Sequence, residues 1–367
     1  MARLTAPVRD VRVAAYTVPT DGPEGDGTLA WDATTVVVVQ VAAGDATGVG
    51  WTYTDRAAGD LVHRVLAPEV IGRDALNPVA VHDATLRLLR NVGVPGLGAA
   101  AVSAIDIAMW DLAGRLLEMP VCSLLGSVRE QLRIYGSGGF TTYDSHRTAE
   151  QVLGWVDGLG ARAVKIKIGE SWGTAVQRDL GRVAEVRELV GAGVDLMVDA
   201  NGGYSVGQAV RVERAMREHG VVWFEEPVSS RDLPGLAHVR RHAEADIAAG
   251  EYGSTPADFR DLLIAGAVDT LQADVTRCGG FTGWRRVAAL AQTFERPIST
   301  HCAPALSVHV AGCAPTLAHL EWFHDHTRLE AMLFDGVPVV TDGVVAPNAD
   351  TGHGMRLRPD AEQWRVV

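Results

Sequence analysis

The chain has 367 residues, enough for one large or two medium domains at roughly 100–200 residues each, and its 47% hydrophobic and 21% charged content is that of a globular protein. A net charge of −12 with no basic run argues against nucleic acid or an anionic membrane as a partner, so an anionic substrate must be held by a local cation. No apolar run approaches the ~20 residues of a membrane helix, residues 1–18 lack a signal-peptide core, and Cys122, Cys278, Cys302 and Cys313 have no metal or disulfide spacing. These features predict a cytoplasmic protein with reduced thiols.

Residues 8–16 read as a strand, 17–32 as a loop rich in Pro, Asp and Gly, and 34–42 as a β-branched strand. A further strand over 48–53 is joined to it through a Gly-Asp pair, which predicts a hairpin. Helices follow over 83–92 and 99–118, the second with Ile105, Met109, Leu112 and Leu116 at helical spacing. Strands followed by helices indicate an α+β unit over residues 1–128. Gly96-Leu-Gly98-Ala-Ala-Ala101 fits a dinucleotide turn by letter, but helical sequence precedes it, so the glycines are expected to join two helices.

From residue 129 the pattern changes. Eight short β runs (132–135, 163–168, 194–198, 221–224, 247–249, 270–273, 297–300, 317–320) alternate with helical stretches such as 178–190, 207–218 and 283–293. This predicts a parallel sheet, and eight units favour a modified (β/α)8 barrel over 129–340 rather than an open doubly wound sheet. No glycine-rich phosphate turn follows the first run, which also speaks against the open sheet. Residues 341–367 are expected to pack back on the N-terminal unit.

The second β run, Ala163-Val-Lys-Ile-Lys-Ile-Gly169, puts Lys165 and Lys167 on one face, because strand side chains repeat every two residues. Buried lysine is costly unless paired or used. The later runs end near Asp199, Glu225, Glu251, Asp274, His301 and Glu321, spaced 20–27 residues apart. One such residue is usually a helix cap. The recurrence places an ionisable group at the mouth end of successive strands, where barrel active sites sit.

Asp199, Glu225 and Glu251 come from adjacent strands and would repel one another without a cation. All-oxygen ligation suits Mg2+, with Mn2+ the next candidate. A metal between lysines and His301 suits removal of a proton next to a carboxylate, with the resulting enediolate stabilised electrostatically. Lys167 is the expected base, its pKa lowered by Lys165 and the metal, and Asp274 is placed to orient His301. A protonated Glu321 could hydrogen-bond the substrate carboxylate.

The motifs Lys165-x-Lys167, Asp199-Ala-Asn201, Glu225-Glu226-Pro227, Gly250-Glu251, Asp274 with Cys278-Gly-Gly-Phe-Thr-Gly-Trp284, His301 and Glu321 together resemble the mandelate racemase subgroup of the enolase superfamily, over nearly the whole chain. A lysine or histidine base with a metal-stabilised enediolate is that superfamily's known chemistry. The resemblance implies a capping domain on the barrel, Asp199, Glu225 and Glu251 as Mg2+ ligands, Lys167 and His301 on opposite faces of the substrate, and Lys165 and Glu321 at its carboxylate. Arg277 stands where the subgroup would have lysine. Two cap loops, around residues 17–31 and 51–56, would set specificity, which makes Asp21, Trp31 and Tyr53 substrate-binding candidates beside Asn201. His324 and His326 are expected on a surface loop. The resemblance also implies a homo-oligomer.

Bases on both faces permit racemisation or epimerisation, and equally dehydration with His301 as the acid; lactone cycloisomerisation shares the first step. The polar loops favour a polyhydroxylated acid, hence an acid-sugar dehydratase yielding a 2-keto-3-deoxy acid. A barrel that binds a metal and an acid without turnover would lack part of the constellation, and no part is missing.

Overall fold

The structure, a computed structural model, describes residues 5–366. Three antiparallel strands open the chain: β1 (Asp10–Gly25), β2 (Ala30–Ala43) and β3 (Ala46–Tyr53), side by side in that order. β2 is the middle strand, which accounts for its unbroken valines. Val36 and Val38 pack with Trp51 on one face, while Val37, Val39 and Val41 pack on the other against the helix Leu97–Leu116. Gly50 sets the distance between strand and helix, since a Cβ there would lie 2.3 Å from the Ala104 carbonyl oxygen. That helix is long and apolar enough to span a bilayer by length and composition, but 94% of its apolar window is buried within the protein.

Residues 17–32 are not the loop their composition suggests. β1 continues to Gly25 and the chain returns at Ala30, with a register irregularity between Pro19 and Glu24. Pro19 and Pro23 are tolerated because β1 is an edge strand, where a missing N–H breaks no central ladder. The turn at the tip is held by the Asp26 carboxylate, which accepts the Thr28 and Leu29 amides. The Gly44-Asp45 hairpin between β2 and β3 forms as expected. Gly96 and Gly98 lie between the helices Pro78–Leu88 and Leu97–Leu116 and at the start of the second, with no strand before them.

The barrel strands are β4 (Leu132–Gly138), β5 (Ala163–Lys167), β6 (Asp195–Asp199), β7 (Val221–Glu225), β8 (Asp246–Ala249), β9 (Thr270–Asp274), β10 (Ile298–His301) and β11 (Leu320–Phe323). They pair in parallel from β4 through β10, and β11 pairs with β4. The ring closes through the Ile298–Leu317 bridge rather than a ladder between β10 and β11. The eighth strand therefore starts at Leu320, the last residue of the 317–320 run that the sequence suggests, and Glu321 lies inside it, opposite Tyr135.

The glycine-rich segment before the helix Gly280–Thr293 docks the cap onto the barrel. Ser103 accepts the Gly279 amide at 2.9 Å and Asp106 accepts the Thr282 amide at 2.9 Å, both from the cap helix. A Cβ at Gly280 would lie 2.5 Å from Asp106 Oδ2. The C-terminal residues return to the first sheet. The Val366 amide donates to the Ala15 carbonyl at 2.8 Å, and His353 Nε2 lies 2.8 Å from the Val49 carbonyl oxygen.

Candidate active site

The parallel register sets the site out in rows. Lys167, Asp199 and Glu225 are paired in sequence across β5, β6 and β7, and His301 pairs with Asp274 across β10 and β9. Each ends its strand, and Glu251 follows β8 by two residues. Lys167, Asn201, Glu251, Arg277, His301 and Glu321 open onto one cavity of about 490 Å³, whose other wall is the cap.

Lys167 Nζ contacts Asp199 Oδ2 at 2.5 Å. Burial opposes the Lys167 charge, but Asp199, with Glu251 and Glu225, more than offsets this and raises its pKa. That is the reverse of the lowering expected from Lys165, whose repulsion is the weaker influence. Asp199 Oδ1 accepts the Asn201 amide at 2.8 Å, and Asn201 holds a left-handed backbone with φ 43°.

Lys165 lies deeper, 1% exposed, with Nζ 2.6 Å from Glu225 Oε2 and 2.8 Å from Glu321 Oε1. It is absent from the cavity lining. Glu321 also departs from expectation. Burial opposes its charge, but Lys165 and His301 hold its pKa well below the carboxylate range, so it is ionised rather than a protonated donor. It accepts from Ser137 at 2.7 Å and from the Cys302 amide at 2.6 Å.

His301 Nδ1 lies 2.7 Å from Asp274 Oδ2. The other Asp274 oxygen accepts the Thr276 amide and hydroxyl, each at 2.7 Å, which fixes the carboxylate. His301 Nε2 stands 3.3 Å from Glu251 Oε2 without hydrogen-bond alignment and 3.5 Å from Cys302 Sγ. Burial opposes its protonation, but Cys302, Glu251 and Asp274 raise its pKa well above the ordinary value.

Buried carboxylate oxygens of this region lack partners: Glu225 Oε1, Glu226 Oε1 and Glu251 Oε2. Burial, then the Asp199 charge, pushes Glu225 up to about 8. One ligand atom each from Glu225, Glu251 and His301 lie within 4.8 Å of one another. Unpartnered hard oxygens under mutual repulsion fit a divalent cation of the Mg2+ or Mn2+ type. Asp199, the third candidate ligand, is outside this group, and its Oδ2 is paired with Lys167.

The cap side of the cavity includes Trp31 and Tyr53, two of the residues the sequence singled out, with Asp26, Thr34, Asp55 and others. The Tyr53 hydroxyl is turned away, 3.0 Å from Glu330 Oε1. Asp21 does not line the cavity. It faces outward, bonded to Arg147 at 2.9 Å and within 3.1 Å of His324 Nε2. His326 is not on a surface loop: it is in the first turn of the helix His324–Leu333, buried, stacked on Tyr53 at 3.4 Å, and accepting the Ala303 amide at 3.0 Å. Burial drives its pKa down to about 3, so it is neutral. Alternating burial along a helix would have signalled this, but the polar run His324-Asp-His-Thr327 hides it. Cys302 and Asp325 also line the cavity and carry no signal in one sequence.

Residues 9–126 match the family described as mandelate racemase / muconate lactonizing enzyme, N-terminal domain, and residues 147–361 match the one described as enolase C-terminal domain-like. The chain is 29% identical over 342 residues to L-talarate/galactarate dehydratase of Salmonella typhimurium, covering 90% of this chain and 82% of that protein. A mandelate racemase/muconate lactonizing enzyme-like protein from Rubrobacter xylanophilus superimposes with TM-score 0.94 at 45% identity, covering 98% of this chain and 100% of the other. A racemase from Streptomyces coelicolor A3(2) with bound magnesium superimposes with TM-score 0.92 at 30% identity, again covering 98% and 100%.

Proposed function

The chain belongs to the mandelate racemase / muconate lactonizing enzyme family of the enolase superfamily, and from that premise we propose that it dehydrates an acid sugar to a 2-keto-3-deoxy acid, with Mg2+ as its metal. The observation that carries the proposal is that Lys167 and His301 open onto one cavity from separate arcs of the barrel, β4 and β11 lying between their strands on one side and β6 to β9 on the other. A carbon held between them has a group on each face that can take or give a proton.

Asp199, Glu225 and Glu251 would hold Mg2+, with Mn2+ the alternative, and magnesium in a related racemase structure supports this. When bound, the ion supplies positive charge against the substrate carboxylate as the adjacent carbon loses its proton. Asp199 holds Lys167 as an ammonium; a divalent cation held by Asp199 would take that partner away and favour loss of one Lys167 proton to solvent, leaving the neutral amine as base. Lys167 takes the proton from C2. The electron pair forms the C2–C3 double bond as the C3 hydroxyl departs, protonated by His301 Nε2 to leave as water. The enol that remains tautomerises to the 2-keto acid. Asp274, bonded to Nδ1, keeps the ring oriented and stabilises its charged form. Lys165 serves as a positioning residue that neutralises and fixes Glu225 and Glu321.

Racemisation uses the same two groups, and the relative called a racemase supports it as the second reading. Screening sugar acids with Mg2+ for 2-keto acid separates the two. Keto-acid product supports dehydration; a product that keeps every hydroxyl but inverts at C2 replaces that reading with racemisation.

A further inference from the structure

The cations of the cavity stand on one side. Its barrel side carries Lys167, Arg277 and His301 beside the carboxylates Glu251 and Glu321. Its cap side, together with the turn after β11, carries Asp26, Asp55 and Asp325, and among the described lining residues no lysine or arginine stands there. The three carboxylates are fixed in place. Asp26 Oδ1 accepts the Thr28 and Leu29 amides, Asp55 Oδ1 accepts the Ala57 amide at 2.8 Å, and Asp325 accepts from Thr34 at 2.5 Å and from Arg328 at 2.9 Å. Arg56, next to Asp55 in the chain, is exposed and does not line the cavity. Arg328 is held between Asp325 and the Pro19 carbonyl, and Arg147 is paired with Asp21. Neither lines the cavity.

A substrate carboxylate on the barrel side therefore meets cations. A second carboxylate at the far end of the same molecule would be desolvated against like charge with no counter-ion. What the cap side offers is acceptor oxygens and the hydroxyl of Thr54, the Thr34 and Thr35 hydroxyls being bonded to Asp325 and Thr17, and these suit the hydroxyl groups of a sugar chain. We propose that the substrate is a polyhydroxylated acid with a single carboxylate, an aldonate, and that the cap wall rejects the matching dicarboxylic aldarate. This rests on the acid-sugar reading above and narrows it. It also separates this chain from its relative named for talarate and galactarate, which are diacids.

The test is a set of matched pairs, such as gluconate with glucarate and galactonate with galactarate, assayed with Mg2+ for C2 deuterium exchange and keto-acid formation. The expected result is activity on at least one aldonate with kcat/KM at least about a hundredfold above its aldarate. An aldarate used as well as its matched aldonate overturns the inference while leaving the reaction class intact. No exchange with any acid of either set refutes the reaction class, and the inference falls with it. Asp55→Arg, at an exposed position, puts a cation on the cap wall. It should narrow the ratio by about tenfold, and an unchanged ratio would show that wall charge does not discriminate.

Discussion

Lys167 and Asp199 occupy paired positions on adjacent strands, and their charges meet at 2.5 Å. The proposed base and the proposed metal thus compete for the same carboxylate, Asp199. Removing either should affect the metal in opposite ways. Asp199→Asn is expected to weaken Mg2+ binding by about tenfold or more. Lys167→Met removes a cation from beside the ligand, so it should bind Mg2+ at least as tightly as the native chain while turnover falls by about 10²–10⁴. Calorimetric Mg2+ titration alongside the keto-acid assay checks both. Weaker metal binding in Lys167→Met would contradict the competition.

The hydroxyl of Tyr53 and the amide of Ala305 meet the two oxygens of Glu330, tying the cap to the barrel. Burial pushes Glu330 up to about 8 from an ordinary 4.5. A carboxyl whose folded pKa is raised binds its proton more tightly in the folded state. Its stabilising contribution is therefore complete below about pH 4.5 and is lost as pH rises toward 8, at about 1.4 kcal/mol per pH unit for one proton. Glu24, also pushed up to about 8, first by burial and then by Asp325, acts in the same direction. Glu330→Gln keeps an acceptor for Ala305 and can donate to the Tyr53 oxygen. Thermal melts from pH 6 to 9 should show a smaller loss of stability for Glu330→Gln than for the native chain, with the remaining slope reduced again by Glu24→Gln. Parallel curves for all three would contradict this assignment.

His309, in the helix Pro304–Ala311, is fully buried, and neither ring nitrogen has a hydrogen-bond partner among the described residues. Burial, then neighbouring His353, drives its pKa well below the ordinary value, so it is neutral and still costs the desolvation of two polar atoms. His309→Leu should stabilise the fold by about 1–3 kcal/mol in denaturant titration. Destabilisation by a similar amount would mean that the ring's shape matters more than its unmet polarity.

The sequence carried the site through period and position. Strand-end residues such as Asp199, Glu225 and His301 recur once per βα unit, and a parallel barrel brings such ends together whatever lies between them. Two kinds of information were not legible. One is depth: Glu321 sits inside β11 rather than beyond it, which sets it against Lys165 as well as the cavity, and a one-residue boundary cannot reveal that. The other is long-range pairing. The segment 17–32 reads as loop by its prolines and glycines, yet Glu24 pairs with Trp31 because the facing strand supplies a ladder. Likewise Asp21 looks as polar as Asp26 in sequence, and Arg147, 126 residues away, with His324, draws it out of the cavity wall.

The central claim is that Lys167 and His301 act on the carbon next to a carboxylate with Mg2+ held by Asp199, Glu225 and Glu251. The most direct measurement is mass-spectrometric uptake of deuterium from D2O at C2 across a sugar-acid library, with and without Mg2+. The account predicts exchange or keto-acid formation for at least one acid, abolished by EDTA, restored by Mg2+, and lost in the Lys167→Met, His301→Asn double variant. Exchange that survives EDTA, or no exchange with any acid in the presence of Mg2+, would contradict it.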